Sequence, residues 1–366
     1  MSVATDRPGP AVGVPDGPPA GLGRVVRLPA GISLRLQGRV VGVCGALAAA
    51  IFVLLVLAVG TGDYELSPWE VVQTLAGAGP PGADFVVETI RLPRALTAIL
   101  VGAALGASGA IFQSVTRNPL GSPDIIGFTS GASAGAVAQI VLFDGGSGAV
   151  ALGALVGGIG TAVVVWLLAF RGGEGVQGYR LILVGIGISF VLVSATHWMM
   201  TRARLEEAAA ANVWITGSLN GRGWEHVIPV AIALVVVLPL VFLLARELRM
   251  LEMGDDAAAA LGVPVGWARN ALLLLAVALT ATATSSTGPV LFVALASPQI
   301  ARRMTRATGP GVGAAALTGA ALLLLSDFAA QRVFPDQQLA VGVVTGAAGG
   351  GYLLWLLWNE WRDGRT

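Results

Sequence analysis

A chain of 366 residues, 55% hydrophobic and only 12% charged, is too apolar for a soluble domain with one core, and it reads as a protein crossing a membrane many times. All 22 basic residues are arginine; without lysine there is neither a Walker A phosphate loop nor Schiff-base chemistry, and a net charge of +1 makes no case for nucleic acid. The single Cys44 excludes an intrachain disulfide, and His197 and His226, with no metal-ligand spacing around them, read as interfacial or packed side chains.

In chain order, residues 1–38 are rich in Pro and Gly and read as a disordered cytoplasmic tail before a permease domain over 39–360. The tail is too long and too poor in apolar residues for a signal-peptide n-region, so the first run, Val40 to Gly60, is expected to remain as an anchor. Ser67, Pro68 and Glu70 then form a capping-box pattern that predicts a short interfacial helix.

From Arg91 to Gly135 the pattern is a membrane hairpin: two arginines around Pro93, an uncharged run, a polar turn held by Pro119 and Pro123, and a second apolar run. Gly102, Gly106 and Gly109 share one helical face, as do Gly127, Gly131 and Gly135, and such stripes let helices pack closely in lipid. Span four is expected near Ala149 to Phe170 and span five near Leu181 to Met200. Thr201 to Trp224 reads as a surface helix plus loop, and span six as about Val227 to Ala245. The charged stretch 246–268 follows, with Asp255 and Asp256 suited to a helix N-terminus and Gly262 and Pro264 to its end, predicting a two-turn helix.

Span seven runs from about Asn270 to Thr284. A short or discontinuous eighth lies between Gly288 and Ile300, and spans nine and ten near Val312 to Leu325 and Val341 to Trp358. The result is an all-α polytopic membrane protein of about ten transmembrane helices. With both termini inside, the inner segments carry most of the arginines, as the positive-inside rule requires. A faint echo between Gly109–Val115 and Gly288–Ala294 fits two five-span halves running in opposite directions.

Chemistry-bearing residues are sparse. Ser326 and Asp327, at the end of span nine, are placed to cap the next helix, with a proton or ion relay through Asp327 as the alternative. Gln113, Ser114, Gln139, Ser189, Ser194 and Thr196 bridge helices or line a wet path. Arg91 and Arg94 either receive carboxylates from an outside partner or reach to lipid phosphates. Met253 to Val263 is either a helix docking in another protein or an ordinary loop, and Asn118 to Pro123 either an inner gate or a rigid turn.

At these residues the sequence resembles the iron-siderophore and vitamin B12 permease family, the type II importer subunits of ABC transporters. The motifs are RLPR at 91–94, GAIFQSVTRNPLGSPDIIGF at 109–128, LEMGDDAAAALGV at 251–263, GPVLFVALASPQIARR at 288–303 and GVVTG at 342–346. NPLGSPDIIGF, ITGSLNG at 215–221, LEMGDD and the GGGYLL ending resemble its ferric-enterobactin branch.

The resemblance implies a ten-helix subunit with inverted five-helix halves. Its partners would be a second homologous permease chain, two ATPase subunits that bind ATP and Mg, an extracytoplasmic siderophore-binding protein, ferric siderophore and membrane lipid. This chain itself would bind no cofactor and hydrolyse nothing. The resemblance also implies that Arg91 and Arg94 form salt bridges with glutamates of the binding protein, joined by Arg332. Met253, Gly254, Asp255, Asp256, Leu261 and Gly262 would seat the ATPase, and Gln113, Asn118, Pro119, Gln177 and Gly178 would line the gate and path. Departures from the family pattern are Gln299 in place of a histidine, Ala340 in place of a proline, and Gln331 where a docking arginine is common, with Arg332 beside it. A vitamin B12 or haem permease is the nearer rival reading, and a proton-coupled secondary transporter, needing Asp327, the more distant one.

Overall fold

The computed structural model describes residues 24–27, 33–62, 64–171, 175–176, 178–333 and 339–363. Among them the chain is helical apart from two short antiparallel hairpins, Arg24–Arg27 with Ser33–Leu36 and Phe170–Arg171 with Gly175–Val176. The first hairpin lies within 1–38, the segment read as a tail.

The first half of the bundle is built from α1 (Gly38–Gly60), the short α2 (Pro68–Leu75), α3 (Leu92–Thr116), α4 (Phe128–Leu142), α5 (Ser147–Ala169) and α6 (Gly178–Met200). A π-helical stretch, Phe85–Arg91, leads without a break into α3. α7 (Leu205–Thr216) joins the halves. The second half holds α8 (Trp224–Leu243), α9 (Ala245–Glu252), α10 (Asp255–Ala260), α11 (Val265–Thr287), α12 (Val293–Thr305), α13 (Val312–Ala330) and α14 (Val341–Asp363).

Seven described helical segments are long and apolar enough to cross a membrane: α1, the π-helical stretch with α3, α5, α6, α8, α11 and α13. The short apolar α4, the apolar first part of α14 (Val341–Trp355) and the short, two-sided α12 complete the ten. Each half therefore has five helices with a short third one, α4 or α12. The packing repeats as well. α3 lies against α13, its counterpart α11 against α5, and α3 and α11 against each other. Five spans separate each helix from its counterpart, so the halves run in opposite directions.

Local sequence explains the element ends. At α2 the Ser67 N–H donates to Glu70 Oε2 at 2.8 Å and the Glu70 N–H returns to Ser67 Oγ at 3.3 Å, the predicted capping box. Arg117 ends α3 in the left-handed region (φ 52°), and Asn118 Oδ1 accepts the Leu120 N–H at 2.9 Å, fixing the turn. The segment read as a surface helix is α7, which is exposed along most of its length and sets only Ala211 and Trp214 inward, packed beside α4. α9 is a helix of its own within the charged stretch, turning Leu248 and Leu251 inward and its arginines, Arg246 and Arg249, out.

α3 is the axis of the bundle, with 78% of its apolar window buried. Its glycine face meets backbone. A β-carbon on Gly102 would lie 2.3 Å from the Gly319 carbonyl oxygen of α13, one on Gly106 2.2 Å from that of Ala315, and one on Gly319 2.1 Å from that of Gly102. Ser108 ties the same helix to α11, its hydroxyl 2.8 Å from the Ala276 carbonyl oxygen and 2.7 Å from Thr280 Oγ1.

Gly102→Val is expected to destabilise the protein by about 1–3 kcal/mol or to prevent its folding, because the obstacle is backbone and cannot rotate away. Gly160→Ala, with nothing within 4 Å of the added carbon, should leave the melting temperature in detergent unchanged. Equal melting temperatures for the two variants would refute the close approach of α3 and α13.

Candidate functional site

The two ends of α3 carry the two polar clusters that the motifs bring together. At its N-terminal end, Arg91 and Arg94 flank Pro93 in the first turn of α3. Arg91 Nη1 donates to the Val59 carbonyl at 2.9 Å. Arg94 grips Asp327 of α13 with two nitrogens, Nη2 to Oδ1 at 2.8 Å and Nε to Oδ2 at 3.0 Å, and Gln331 Nε2 donates to Oδ2 at 2.8 Å. Arg332 donates to the Phe328 carbonyl and to Thr61, and stacks over the Phe328 ring with its guanidinium carbon 3.6 Å from the centroid. Burial, followed by the charge of Arg91, lowers the pKa of Arg332 from the ordinary arginine value, with Asp327 opposing.

This overturns one expectation. Ser326 and Asp327 lie inside α13 and cap nothing. Asp327 is instead the counter-ion for Arg94, with 2% and 13% of the two side chains exposed. The signal was present in the sequence: a carboxylate in an apolar helix needs a partner, and the RLPR arginines are the cations that enter at that depth.

Three further motifs meet near the same end. The Ser218 N–H donates to the Thr287 carbonyl at 2.8 Å, and the Gly342 N–H to that of Gly217 at 3.0 Å, joining ITGSLNG, GPVLF and GVVTG. A β-carbon on Gly342 would sit on the Thr216 carbonyl. Trp224 Nε1 donates to the Glu88 carbonyl at 2.9 Å, which places this junction beside the π-helical stretch. His226 is packed, as expected. Its Nε2 accepts from Arg222 at 3.0 Å, which puts the ring proton on Nδ1, 3.0 Å from Glu225 Oε1.

At the other end of α3, Gln113, Asn118 and Pro119 border a cavity of about 380 Å³ with Ser114, Arg117, Glu252 and Arg302. Gln113 Nε2 donates to the Leu295 carbonyl at 3.0 Å, while Gln299 Nε2 donates to Gln113 Oε1 and to the Pro119 carbonyl, both at 2.9 Å. The residue that departs from the family pattern therefore pins the 118–123 turn to α12. Of the other residues assigned to the path, Gly178 opens α6 away from this cavity and Gln177 lies outside the described residues. Ser189, Ser194 and Thr196 each bond the carbonyl four residues back in their own helix; Thr196 also lines a second cavity of about 230 Å³ with His197, Thr129, Ser130 and Ser133.

The segment around α10 is two-sided. Ala258 and Val263 are buried, whereas Met253 and Leu261 are 64% and 50% exposed beside exposed Asp256 and Gly262. Sequence reasoning missed Asp124, whose carbonyl accepts the Gly127 N–H at 3.2 Å but whose carboxyl has no hydrogen-bond partner among the described residues and is pushed by burial up to about 7.

Two opposed sets of five helices, nearly all apolar, with a charged cluster at each end of α3, define a multi-pass membrane transport permease. The chain belongs to the FecCD transport family, whose model matches residues 49–359. It is 47% identical over 319 residues to the ferric enterobactin transport system permease protein FepG of Escherichia coli, covering 87% of this chain and 96% of that one. It is 38% identical to the achromobactin transport system permease protein CbrC of Dickeya dadantii, over 84% of this chain and 88% of that one. Among solved structures, a metal-chelate type ABC transporter in an inward-facing conformation superposes with a TM-score of 0.78 at 26% identity, covering 87% of this chain and 99% of that chain.

Two outcomes follow from the geometry. Arg94→Leu or Asp327→Leu alone should cost about 3–5 kcal/mol, by stranding a buried charge, and the double variant less than the sum; a melting-temperature cycle in which the two losses simply add would refute the pair. For Asp124, a folded-state pKa near 7 against an ordinary 3.8 means that stability is complete in acid and is lost as the pH rises through about 7. Asp124→Asn should flatten the pH dependence of melting across that window and be more stable than the parent at pH above 7; a parallel profile would refute it.

Proposed function

We propose that this chain is the membrane-spanning subunit of an ATP-driven importer that carries a ferric siderophore of the catecholate type inward across a bacterial cytoplasmic membrane. The observation that carries this reading is the near full-length similarity to the ferric enterobactin permease, 47% identical over 319 residues. A second, homologous permease chain completes the translocation path, and both termini of this chain are cytoplasmic.

The Arg91 end is the outer mouth, where Arg91 and Arg332 present positive charge to glutamates of the siderophore-binding protein, while Arg94, assigned to the same role from the sequence, is already paired with Asp327. Arginine suits that role because its fork fixes orientation as well as attracting charge. Arg94, already gripped by Asp327, holds the cluster in place while Arg91 and Arg332 meet the partner. The exposed Met253, Asp256, Leu261 and Gly262 face seats an ATPase subunit at the inner end. ATP and Mg bind to that subunit, and closure of the ATPase pair rocks the permease halves between outward and inward states. ATP shifts this equilibrium only through the different contacts the ATPase makes in each state. The 118–123 turn, braced by Gln299, closes the inner side of the path.

A proton-coupled transporter would need a titratable relay at membrane depth. The residue for it, Asp327, is held by Arg94 and Gln331, which disfavours that class.

Cells deleted for the gene should lose uptake of radiolabelled ferric enterobactin and regain it with the gene restored, while ferric hydroxamate and cobalamin uptake stay normal. Unchanged uptake of every iron chelate would reject the siderophore reading. Arg91→Glu with Arg332→Glu should abolish uptake while the protein still accumulates in the membrane; normal uptake would remove the docking assignment.

A further inference from the structure

The 253–262 segment is held to the bundle by two carboxylates, Glu252 just before it and Asp255 within it, that pair with side chains of other helices. Asp255, the first residue of α10, receives Arg269 Nη2 of α11 at 2.5 Å and lies 3.6 Å from Arg117 Nη2, at the C-cap of α3. Glu252, at the end of α9, accepts from Ser114 Oγ of α3 at 2.7 Å and from Arg302 Nη2 of α12 at 3.3 Å. Between them Gly254 turns at φ 109°, and a β-carbon there would lie 3.3 Å from Arg117 Nη1. A helix of only six residues does not hold its own position. Its place is set by these four contacts and by the burial of Ala258 and Val263.

We propose that Glu252 and Asp255 are positioning residues that transmit displacement of the exposed 253–262 face to α3, α11 and α12, rather than contacts to the ATPase. The proposal rests on the reading that this face seats an ATPase subunit. Both carboxylates are charge-assisted acceptors reached from two other helices, so a movement of α10 pulls on helices of both halves of the bundle. The exposed face has no such link: Met253 and Leu261 are apolar and outward. Seating and transmission are thus carried by different residues of one short segment.

The test uses the whole importer, this permease with its partner permease, ATPase and binding protein, in liposomes loaded for uptake. Cargo entry and ATP hydrolysis are both counted. Glu252→Gln with Asp255→Asn is expected to leave ATPase co-purification and ATP hydrolysis intact while cargo moved per ATP falls about tenfold, the effect of losing about one charge-assisted contact. Arg117→Gln, which spares the Arg269 contact, should shift the same ratio in the same direction by less. The reciprocal exchange Glu252→Arg with Arg302→Glu should restore part of the loss seen with Glu252→Arg alone. An unchanged ratio in Glu252→Gln with Asp255→Asn, or loss of the ATPase from that complex, would overturn the proposal. Leu261→Asp separates the two readings: it is expected to release the ATPase, and retention of the ATPase with normal uptake would overturn the seating assignment itself.

Discussion

The backbone contact between α3 and α13 is the constraint on which the rest of the structure depends. Lipid offers no hydrophobic drive for helices to associate, so they hold together by close van der Waals approach and by the polar groups they can pair. Gly102 and Gly319 face each other with no side chain between them. That closeness brings Arg94 within reach of Asp327 one end further along, and aligns α3 so that its other end meets α9, α10 and α12. A wider spacing would leave a carboxylate buried in an apolar helix with no cation beside it.

The same contact joins the halves. α3 belongs to the first set of five helices and α13 to the second, and the repeat of that pairing between α11 and α5 makes the bundle one body with two similar seams. The short third helices, α4 and α12, follow the connections 118–127 and 288–292, in which Gly121 to Pro123 and Gly288 to Val290 are buried in the protein. Irregular backbone at membrane depth is tolerated only where protein satisfies it. Gln299 supplies one such partner by donating to the Pro119 carbonyl, and the Gly217, Thr287 and Gly342 junction supplies others.

Hydropathy and capping chemistry were enough to read most of this architecture. The long apolar runs are helices close to their expected bounds, Ser67 and Glu70 cap α2, and the glycine face of α3 is buried against its neighbours. Legibility failed where a residue's role depended on a partner far along the chain. Asp327 looked like a cap because the helix was expected to end at Leu325, whereas α13 continues to Ala330 once Arg94 neutralises the charge. Glu252, Ser114 and Arg302 were scattered single residues in three motifs, and nothing local to any of them announces that they meet. α9 was hidden by its charge density, although Leu248 and Leu251 are spaced to face one side.

The two charged clusters differ in burial, and that difference separates their roles. Arg94 and Asp327 are almost completely enclosed, so removing either partner costs about 3–5 kcal/mol. At the other cluster only the Arg117–Asp255 pair, 48% and 41% exposed, sits where an ion pair contributes about 0–1 kcal/mol and exchanges readily with water. Arg269 and Glu252, 13% and 23% exposed, are more enclosed, so the segment stays tied to α11, α3 and α12 while one of its links can be remade. Under the proposed function, movement at the ATPase face is therefore passed to those helices at that end, while the Arg94–Asp327 pair holds α3 against α13 at the other.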